Sequence, residues 1–200
     1  STDKAAPPVL NTYGISKALM ERLFTSLDDQ SSTRFTCVRF GNIVWSTGSV
    51  FPIWEQMISD YGLIKSTGPE MRRFFFTVNE ASDLVIRSLV NIDISHGKIL
   101  VQHMKCAQIK DLLDVFCEHY QTTWEQIKTR PGDKLDEYLI GVEEHEYAKK
   151  LDLDGSFHFL IDYGNKPENC VLKPISSIDS KRLSKKEISY LINSKSQLLL

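Results

Sequence analysis

The sequence lacks several features that would place a protein in a specialised class. Its ten glycines form no GxGxxG motif, so a glycine-rich phosphate-binding turn of that type is excluded. Its four cysteines are scattered, with no CxxC pair, which argues against a zinc site or a disulfide scaffold and favours a reducing compartment. No apolar run approaches the length of a membrane span, and no leader is visible. We therefore expect a cytoplasmic protein without a metal site.

The chain also lacks an excess of either charge. It has 24 basic and 26 acidic residues, giving a formal net charge of −2. This balance predicts neither a nucleic-acid partner nor binding to an anionic membrane. A hydrophobic fraction of 42% and a length of 200 residues are ordinary for one globular domain with, at most, a small addition.

Short β-rich runs alternate with amphipathic helices, an order typical of α/β layers around a mainly parallel sheet. The apolar spacing predicts helices over about 11–28, 49–62, 79–90 and 107–120, and strands within 34–40, 98–104 and 124–130. Gly62 is expected to end the second of these helices. In the third helix, Leu84, Val85 and Leu89 are predicted to face the core. With only three or four convincing strands, the sheet looks incomplete.

Two further features concern the second half of the chain. Residues 152–174 are expected to be rich in loops around the short apolar run FHFLI. The run Ser184-Lys-Lys-Glu187 has the spacing of a capping box and predicts the start of a final short helix.

The first chemically suggestive pair is Tyr13 and Lys17, which lie four residues apart in the first predicted helix. Positions i and i+4 share a helix face, and a lysine ammonium beside a phenol favours the phenolate. Such a pair can act as the base that removes a hydroxyl proton while the same carbon loses hydride. The pattern is common by chance, so on its own it favours the interpretation that Tyr13 is a surface tyrosine and Lys17 a solvated lysine.

The context of that pair is specific. Six motifs follow one another over residues 1–137: STDKA, YGISK, RFGNIV, GSVFP, PEMRRFF and RPGDKLDE. In this order they resemble the inverting UDP-N-acetylglucosamine 4,6-dehydratases, which are extended short-chain dehydrogenase/reductases of polysaccharide biosynthesis. The resemblance weakens beyond Glu137.

The resemblance implies a catalytic role for five residues. Tyr13, assisted by Lys17, would take the proton of the sugar 4-hydroxyl, and Thr2 would hydrogen-bond the 4-oxygen. Lys4 would remove the C5 proton made acidic by the 4-ketone. Asp3 would protonate the departing 6-hydroxyl.

The same resemblance implies the stereochemistry and the cofactor. Retaining relatives usually carry Asp-Glu where this chain has Asp3-Lys4, so a lysine at this position indicates inversion at C5. The implied cofactor is NADP or NAD, tightly bound and recycled, with Lys4, Tyr13 and Lys17 in contact with it.

Later motifs suit the nucleotide part of a UDP-sugar. Arginine forks match phosphate oxygens, a helix start offers free N–H groups to a diphosphate, and a carboxylate accepts hydrogen bonds from ribose hydroxyls. The residues expected to bind substrate are Asn42, Ser49, Val50, Arg73, Arg130 and Glu137.

The resemblance also predicts the organisation of the chain. The expected fold is a partial Rossmann-like one, with the C-terminal strands and helices of an extended short-chain dehydrogenase/reductase and a small substrate-binding subdomain. Residues 1–104 would belong to the catalytic domain and 105–200 to the substrate subdomain and tail. Because the glycine-rich first half is not seen, we expect this chain alone to be inactive and to need that half or a partner chain, in a homo-oligomer.

Two alternatives remain open at this point. One is another nucleotide-sugar enzyme of the same superfamily, such as a 4-epimerase, although an epimerase needs neither a C5 base nor a C6 acid. The other is a protein that binds UDP-sugars without turnover.

Overall fold

The computed structural model describes residues 1–30, 32–128 and 132–195. The helices are α1 (Thr12–Leu27), α2 (Val50–Tyr61), α3 (Val78–Val90), α4 (Ile92–Ser95), α5 (Ile109–Tyr120) and α6 (Lys185–Asn193). The strands are β1 (Cys37–Arg39), β2 (Asn42–Ile43), β3 (Leu63–Thr67), β4 (Arg72–Phe76), β5 (Ile99–Gln102), β6 (Cys106–Gln108), β7 (Thr123–Ile127), β8 (Tyr138–Ile140), β9 (Ala148–Leu153), β10 (Ser156–Ile161) and β11 (Ile175–Ser176). The predicted mixed α/β fold with parallel pairing is confirmed.

The chain forms two compact units that alternate along the sequence. Unit 1 comprises 1–41, 79–103 and 138–179, and unit 2 comprises 42–78, 104–137 and 180–200. The predicted assignment of a catalytic role to 1–104 and a substrate-binding role to 105–200 stays a prediction.

Unit 1 is built on a four-stranded sheet of order β1-β5-β10-β9. Strand β1 pairs parallel with β5, whereas β10 runs antiparallel to both β5 and β9. The central residues Ile99, Leu100 and Val101 are completely buried, as expected for a strand covered on both faces. This sheet carries the first helix and the first turn of the chain, which hold the candidate catalytic residues.

The expectation of a loop-rich 152–174 segment is wrong over its first ten residues. The run FHFLI lies in β10, which pairs with β9 in an antiparallel hairpin. Asp154 and Gly155 connect the strands, both with positive φ (53° and 77°), as a tight two-residue turn requires. The Asp-Gly pair between apolar runs was a local signal for this hairpin.

Unit 2 contains two small sheets and an aromatic core. Strand β2 pairs parallel with β4, which pairs antiparallel with β6, and β3 pairs parallel with β7. The core centres on Phe116, whose ring lies 5.3 Å from Phe51, 5.3 Å from Trp54 and 4.5 Å from Tyr120. Helices α2 and α5 supply these rings, so they are fixed by the interior of the unit.

Two predicted helix ends are confirmed, whereas the predicted core face of α3 is partly wrong. Gly62 ends α2 in the left-handed conformation, and Ser184 caps α6 with Glu187 in a reciprocal capping box. In α3, however, only Leu84 of the three predicted core residues is buried, while Val85 and Leu89 are 47% and 68% exposed. The buried stripe instead contains Ala81 and Ser88, because small residues allow close packing.

The described residues show neither a transmembrane segment nor a metal cluster. No helix in this part of the chain combines the length and the apolar character that crossing a membrane requires. The same residues contain no group of three metal-ligating side chains.

Candidate active site

The first turn of unit 1 holds three of the predicted catalytic residues. Asp3–Ala5 form a single 3₁₀ turn that Thr2 precedes as N-cap. The Asp3 N–H donates to the Phe40 carbonyl at 2.6 Å, and Thr2 pairs with Phe40 in a parallel bridge. The turn therefore sits directly beyond strand β1, fixed by backbone hydrogen bonds.

Within the turn, Asp3 and Lys4 form an ion pair. The Lys4 ammonium lies 3.0 Å from Asp3 Oδ1, which also accepts a hydrogen bond from the Thr2 hydroxyl at 2.9 Å. The Asp3 side chain is completely buried, whereas that of Lys4 is 26% exposed. The second carboxylate oxygen of Asp3 is buried and has no hydrogen-bond partner among the described residues. As a carboxylate oxygen it can accept a hydrogen bond from a bound molecule, and once protonated it can donate one.

Helix α1 presents Tyr13 and Lys17. It begins at Thr12 because Asn11 Oδ1 caps it, accepting from the Gly14 N–H at 2.7 Å. Tyr13 is 53% exposed, and the Lys17 ammonium lies 5.7 Å from the centre of its ring. The predicted i, i+4 pair is therefore a real contact on one helix face.

Gly14 allows the helix and the turn to approach closely. A Cβ atom at this position would lie 2.3 Å from the Lys4 carbonyl oxygen and 2.8 Å from Val9. Only a glycine can follow Tyr13 without moving the backbone that carries Lys4. Sequence reasoning missed this role, although the glycine belongs to the YGISK motif that was singled out.

The structure thus brings the five predicted catalytic residues, Thr2, Asp3, Lys4, Tyr13 and Lys17, into unit 1. The turn holds the first three and α1 the last two, with Gly14 in contact with the backbone of Lys4. Their catalytic and cofactor-binding roles stay predictions.

Three of the predicted substrate-binding residues lie near strand and helix starts in unit 2. Asn42 opens β2, where it pairs with Phe75 of β4. Ser49 is the N-cap of α2, and Val50 is its first residue. The Ser49 hydroxyl makes no capping bond, and it is buried without a partner in the described part of the chain. The first turn of α2 therefore has backbone N–H groups without an intrahelical acceptor, and the Ser49 hydroxyl does not cap them.

Arg73 has its guanidinium donors engaged within unit 2. They donate to the carbonyl oxygens of Arg72 at 2.7 Å, Lys134 at 2.8 Å and Leu135 at 3.3 Å. Its Nε lies 3.8 Å from an oxygen of the buried Glu137. In this arrangement Arg73 supports the segment before β8. Its predicted contact with phosphate, like the predicted contact of Glu137 with ribose, stays a prediction.

The neighbouring pair of Arg72 and Asp136 is better aligned. The Arg72 fork donates to both Asp136 oxygens, at 2.6 and 2.7 Å, and this raises the pKa of Arg72. Arg130, the remaining predicted phosphate ligand, lies outside the described residues.

A fully buried arginine, Arg39, is the last residue of β1 and directly precedes Phe40, whose carbonyl accepts from the catalytic turn. Arg39 Nε and Nη2 donate to the two oxygens of Glu21, at 2.9 and 2.7 Å. Nη2 also donates to Glu144 at 3.2 Å, and Nη1 donates to the Leu139 carbonyl at 2.8 Å and to Glu144. All five N–H bonds of the guanidinium are therefore used.

Glu144 is held from several sides. The Gly141 N–H and the Tyr163 hydroxyl donate to it at 2.8 and 2.6 Å. Burial alone would raise the pKa of Glu144, but the Arg39 guanidinium and these hydrogen bonds lower it. Burial would likewise disfavour the charge of Arg39, but the two carboxylates raise its pKa well above the ordinary value. An arginine in the apolar run 34–40 signals such pairing, although the sequence does not name its partners.

Comparison with known proteins places these features in a family context. Residues 1–157 match the protein family described as "Polysaccharide biosynthesis protein". A protein of Methanocaldococcus jannaschii described as an uncharacterised membrane protein is 36% identical over 96% of this chain and 61% of its own length. A UDP-glucose 4-epimerase of Rickettsia felis is 31% identical over 96% of this chain and 59% of its own. The chain thus spans about three fifths of the length of these curated relatives.

Solved structures support the fold. The structure of Pen from Bacillus thuringiensis is 30% identical, with a TM-score of 0.84, and the match covers 100% of this chain and 61% of that one. Nucleotide-sugar dehydratases and epimerases with Rossmann-like folds of the extended short-chain dehydrogenase/reductase type match at 12–20% identity and TM-scores of 0.50–0.61. At that identity these last matches show the fold alone.

Proposed function

Because the chain belongs to the polysaccharide biosynthesis protein family, we propose that its protein is a nucleotide-sugar 4,6-dehydratase. The proposed substrate is UDP-N-acetylglucosamine, and the product is a UDP-4-keto-6-deoxy sugar inverted at C5.

The observation that carries the proposal is the ion pair between Asp3 and Lys4 beside the YGISK helix. A 4,6-dehydration needs a base for the C5 proton and an acid for the leaving 6-hydroxyl. The pair supplies one of each at adjacent positions, with a buried Asp3 oxygen that has no partner among the described residues. Moving one proton from Lys4 to Asp3 along their 3.0 Å contact produces the neutral amine and the neutral acid that these roles require.

The reaction begins at the sugar 4-hydroxyl. Tyr13 accepts its proton, and the Lys17 ammonium, 5.7 Å from the centre of the Tyr13 ring, stabilises the phenolate that this requires. Thr2 is the donor assigned to the 4-oxygen, which requires its hydroxyl to exchange Asp3 Oδ1, its acceptor in the turn at 2.9 Å, for the sugar oxygen. These three residues together generate and hold the 4-ketone.

Elimination follows from the 4-ketone. Lys4 takes the C5 proton, Asp3 protonates the 6-hydroxyl, and the C6–O bond breaks to release water. After C6 has gained the hydride that C4 lost, a proton from solvent reaches C5 from the opposite face, which inverts that centre. The atoms balance, because one molecule of water leaves, C6 gains the hydrogen that C4 loses, and the proton taken by Tyr13 passes to solvent in exchange for the one that C5 receives.

The residues present fit a nicotinamide cofactor. The exposed Tyr13 oxygen and the Lys17 ammonium, an acceptor and a donor on one helix face, are suited to the hydroxyls of a ribose. Lys4, Tyr13 and Lys17 are the residues assigned to hold the cofactor, which can be NAD or NADP. When bound, it supplies the redox chemistry by accepting hydride from C4 and returning it to C6.

Residues of unit 2 are assigned to the nucleotide. The start of α2, with the unused Ser49 hydroxyl and the backbone of Val50, suits a diphosphate, and Asn42 offers an amide. Arg73, Arg130 and Glu137 complete the proposed set. For Arg73 this requires an exchange of backbone carbonyl partners for phosphate oxygens.

The test is proton NMR of UDP-N-acetylglucosamine in heavy water, with the complete gene product and catalytic amounts of NAD or NADP. A 4-keto-6-deoxy product with deuterium at an inverted C5 is expected. Retained configuration at C5 would overturn the role of Lys4 and leave the dehydratase in place. Unchanged sugar, with either cofactor, would overturn the dehydratase.

A variant pair assigns the C5 base. We expect Lys4→Met to lower turnover and C5 deuterium uptake together by about 10²–10⁴-fold, because the base is lost. The exposed Lys186→Met in α6 is the matched control and should behave as wild type. Uptake of C5 deuterium by Lys4→Met at the wild-type rate would contradict the assignment.

A second candidate is a 4-epimerase, favoured by the similarity to the Rickettsia felis UDP-glucose 4-epimerase over 96% of this chain. It would use Tyr13 and Lys17 in the same way but leave Asp3 and Lys4 without a chemical task. The same NMR experiment separates the two, because epimerisation changes C4 without loss of water. The predictions of a cytoplasmic location, a homo-oligomer and a required first half or partner chain remain predictions.

A further inference from the structure

The buried cluster of Arg39, Glu21, Glu144 and Tyr163 has no part in the chemistry proposed above, yet it is costly to maintain. It places two carboxylates and one guanidinium inside unit 1, with Arg39 completely buried and each carboxylate side chain about 1% exposed. Buried charges of this kind add little net stability even when well paired. The segments that the cluster connects therefore explain it better than stability does.

One end of the cluster is on the helix that carries the candidate base. Glu21 lies on α1, four residues after Lys17 and eight after Tyr13, and it is buried on an otherwise largely exposed helix. Both of its oxygens are bound by the Arg39 fork. A two-point contact fixes both the rotation and the axial position of the helix, which a single hydrogen bond does not.

The other end supports the catalytic turn. Glu144 accepts the Gly141 N–H at 2.8 Å. A Cβ atom at Gly141 would lie 2.2 Å from the Pro7 carbonyl oxygen, and the Val142 N–H donates to that same oxygen at 3.2 Å. The cluster therefore reaches the segment directly after the turn that holds Asp3 and Lys4.

We propose that Arg39 is a positioning residue, which sets the Tyr13 and Lys17 helix against the Asp3–Lys4 turn by binding Glu21 and Glu144 at once. The claim that this positioning supports catalysis rests on the proposed function. The claim that Arg39 holds the helix against the turn rests on the observed contacts alone. Tyr163 assists, since its hydroxyl donates to Glu144 and its ring lies under the Arg22 guanidinium of α1 at 3.1 Å.

Lysine in place of Arg39 is the sharpest test. It keeps the buried positive charge but offers one donor centre instead of a fork, so it cannot bind both carboxylates in the same geometry. Arg87→Lys is the matched control, because Arg87 also pairs with a carboxylate of unit 1, at 2.7 Å, but that partner is the exposed Asp154. Tyr163→Phe is a milder variant of the cluster that keeps the shape of the side chain.

The kinetic arm uses the complete gene product with UDP-N-acetylglucosamine. In Arg39→Lys we expect kcat to fall about 100-fold, since misplacement of reacting groups by about 1 Å has such an effect, with KM changed by less than about threefold. Arg87→Lys should stay within about twofold of wild type. Equal loss in both variants, or a rise in KM with an unchanged kcat, would overturn the proposal.

The second arm needs no substrate and so separates this proposal from the function. Hydrogen exchange of the backbone amides is compared between α1 and α3, both largely in unit 1. In Arg39→Lys, exchange in α1 should rise at least about tenfold while α3 stays unchanged, because only α1 loses its anchor. Tyr163→Phe should show the same pattern more weakly.

The outcomes are distinguishable. If wild type does not turn over the sugar but α1 alone loosens in Arg39→Lys, the proposed function fails and the positioning contact stands. If α1 and α3 loosen together in both Arg39→Lys and Tyr163→Phe, the cluster serves general stability and the proposal is overturned. If Arg39→Lys does not fold, Tyr163→Phe decides by the same two measurements.

Discussion

At the scale of single residues, the candidate site depends on one close approach. The Lys4 carbonyl oxygen lies where a Cβ atom of residue 14 would be, 2.3 Å away. The neighbours of this glycine in sequence and space are therefore the candidate base Tyr13 and the candidate C5 base Lys4. Because residue 14 has no side chain, the helix that carries Tyr13 can pack directly against the backbone of Lys4.

We predict that Gly14→Ala increases the distance between Tyr13 and Lys4. Alanine favours a helix over glycine by about 1 kcal/mol. The added methyl must displace backbone atoms of the turn, and overpacking of this kind costs about 1–3 kcal/mol. The second effect wins, because a carbonyl oxygen cannot rotate away as a flexible side chain can. Turnover should fall about 100-fold through the changed separation of Lys4 and Tyr13.

The measurement is kcat together with the urea midpoint of unfolding. Gly164→Ala is the matched control, because a Cβ atom there meets only an Asp162 side-chain oxygen at an ordinary 3.5 Å. A Gly14→Ala variant with the turnover of Gly164→Ala would show that the close approach has no catalytic importance.

At the scale of secondary-structure elements, local signals were predictable and distant ones were not. The Tyr13–Lys17 spacing, the Gly62 stop and the Ser184 capping box each depend on at most five neighbouring residues, and the structure shows all three. The partners of Arg39 lie 18 and 105 residues away, at Glu21 and Glu144, and no local pattern specifies such separations.

Three misjudged features have local causes. The β9–β10 hairpin was not predicted because the polar residues around Asp154-Gly155 indicated a loop, although this pair is typical of a tight hairpin turn. Strand β4 is absent from the predicted strands, because a run of three aromatics, Phe74–Phe76, does not show the alternation of a half-buried strand. In α3, the apolar Val85 and Leu89 lie outward, since helical spacing does not reveal which side of a broad apolar face meets the core.

The cap of α6 gives a pH-dependent prediction. The Lys105 ammonium and the donors of Ser184 lower the pKa of Glu187 from its ordinary value to about 2. Because the folded pKa lies below the unfolded value of about 4.3, the carboxylate stabilises the fold above that pH. This stabilisation is lost as the pH falls from about 4.3 towards 2.

The measurement compares thermal midpoints of wild type and Glu187→Gln between pH 6 and pH 3. Wild type should be the more stable at pH 6, and the difference should shrink as the pH falls, because a protonated Glu187 resembles glutamine. Glu143→Gln, at an exposed position in unit 1, is the control and should show no such trend. A difference that stays constant across the range would refute the assigned role of the charge.

At the scale of the whole molecule, the two compact units do not correspond to two continuous stretches of sequence. Each compact unit gathers three separate segments. The fold class was predictable, since alternating strand and helix patterns indicate α/β layers whatever their order. The segment composition of the units was not, because strand partners such as β3 and β7, or β5 and β10, are separated by long intervals.

We predict that fragments cut at residue 104 do not fold separately. The cut parts β5 from β10 in unit 1, and β3 from β7 and β4 from β6 in unit 2. Each fragment would leave strand edges and apolar residues uncovered, and two-stranded remnants are marginal in water. Urea unfolding followed by circular dichroism should show a cooperative transition for 1–200 and none for 1–104 or 105–200. A cooperative transition in either fragment would mean that the sequence division at this point is also a folding boundary.

The contact between Gly14 and Lys4 also bears on how the family can vary. Helix α1 is placed by that contact, and the far end of the intervening segment is held where the Val142 N–H donates to the Pro7 carbonyl. Between these anchors, Pro8 and Leu10 are exposed. The number of residues joining the acid–base turn to the phenol is therefore free to drift during evolution. Alignments of relatives should tolerate insertions and deletions there while keeping a glycine after the tyrosine.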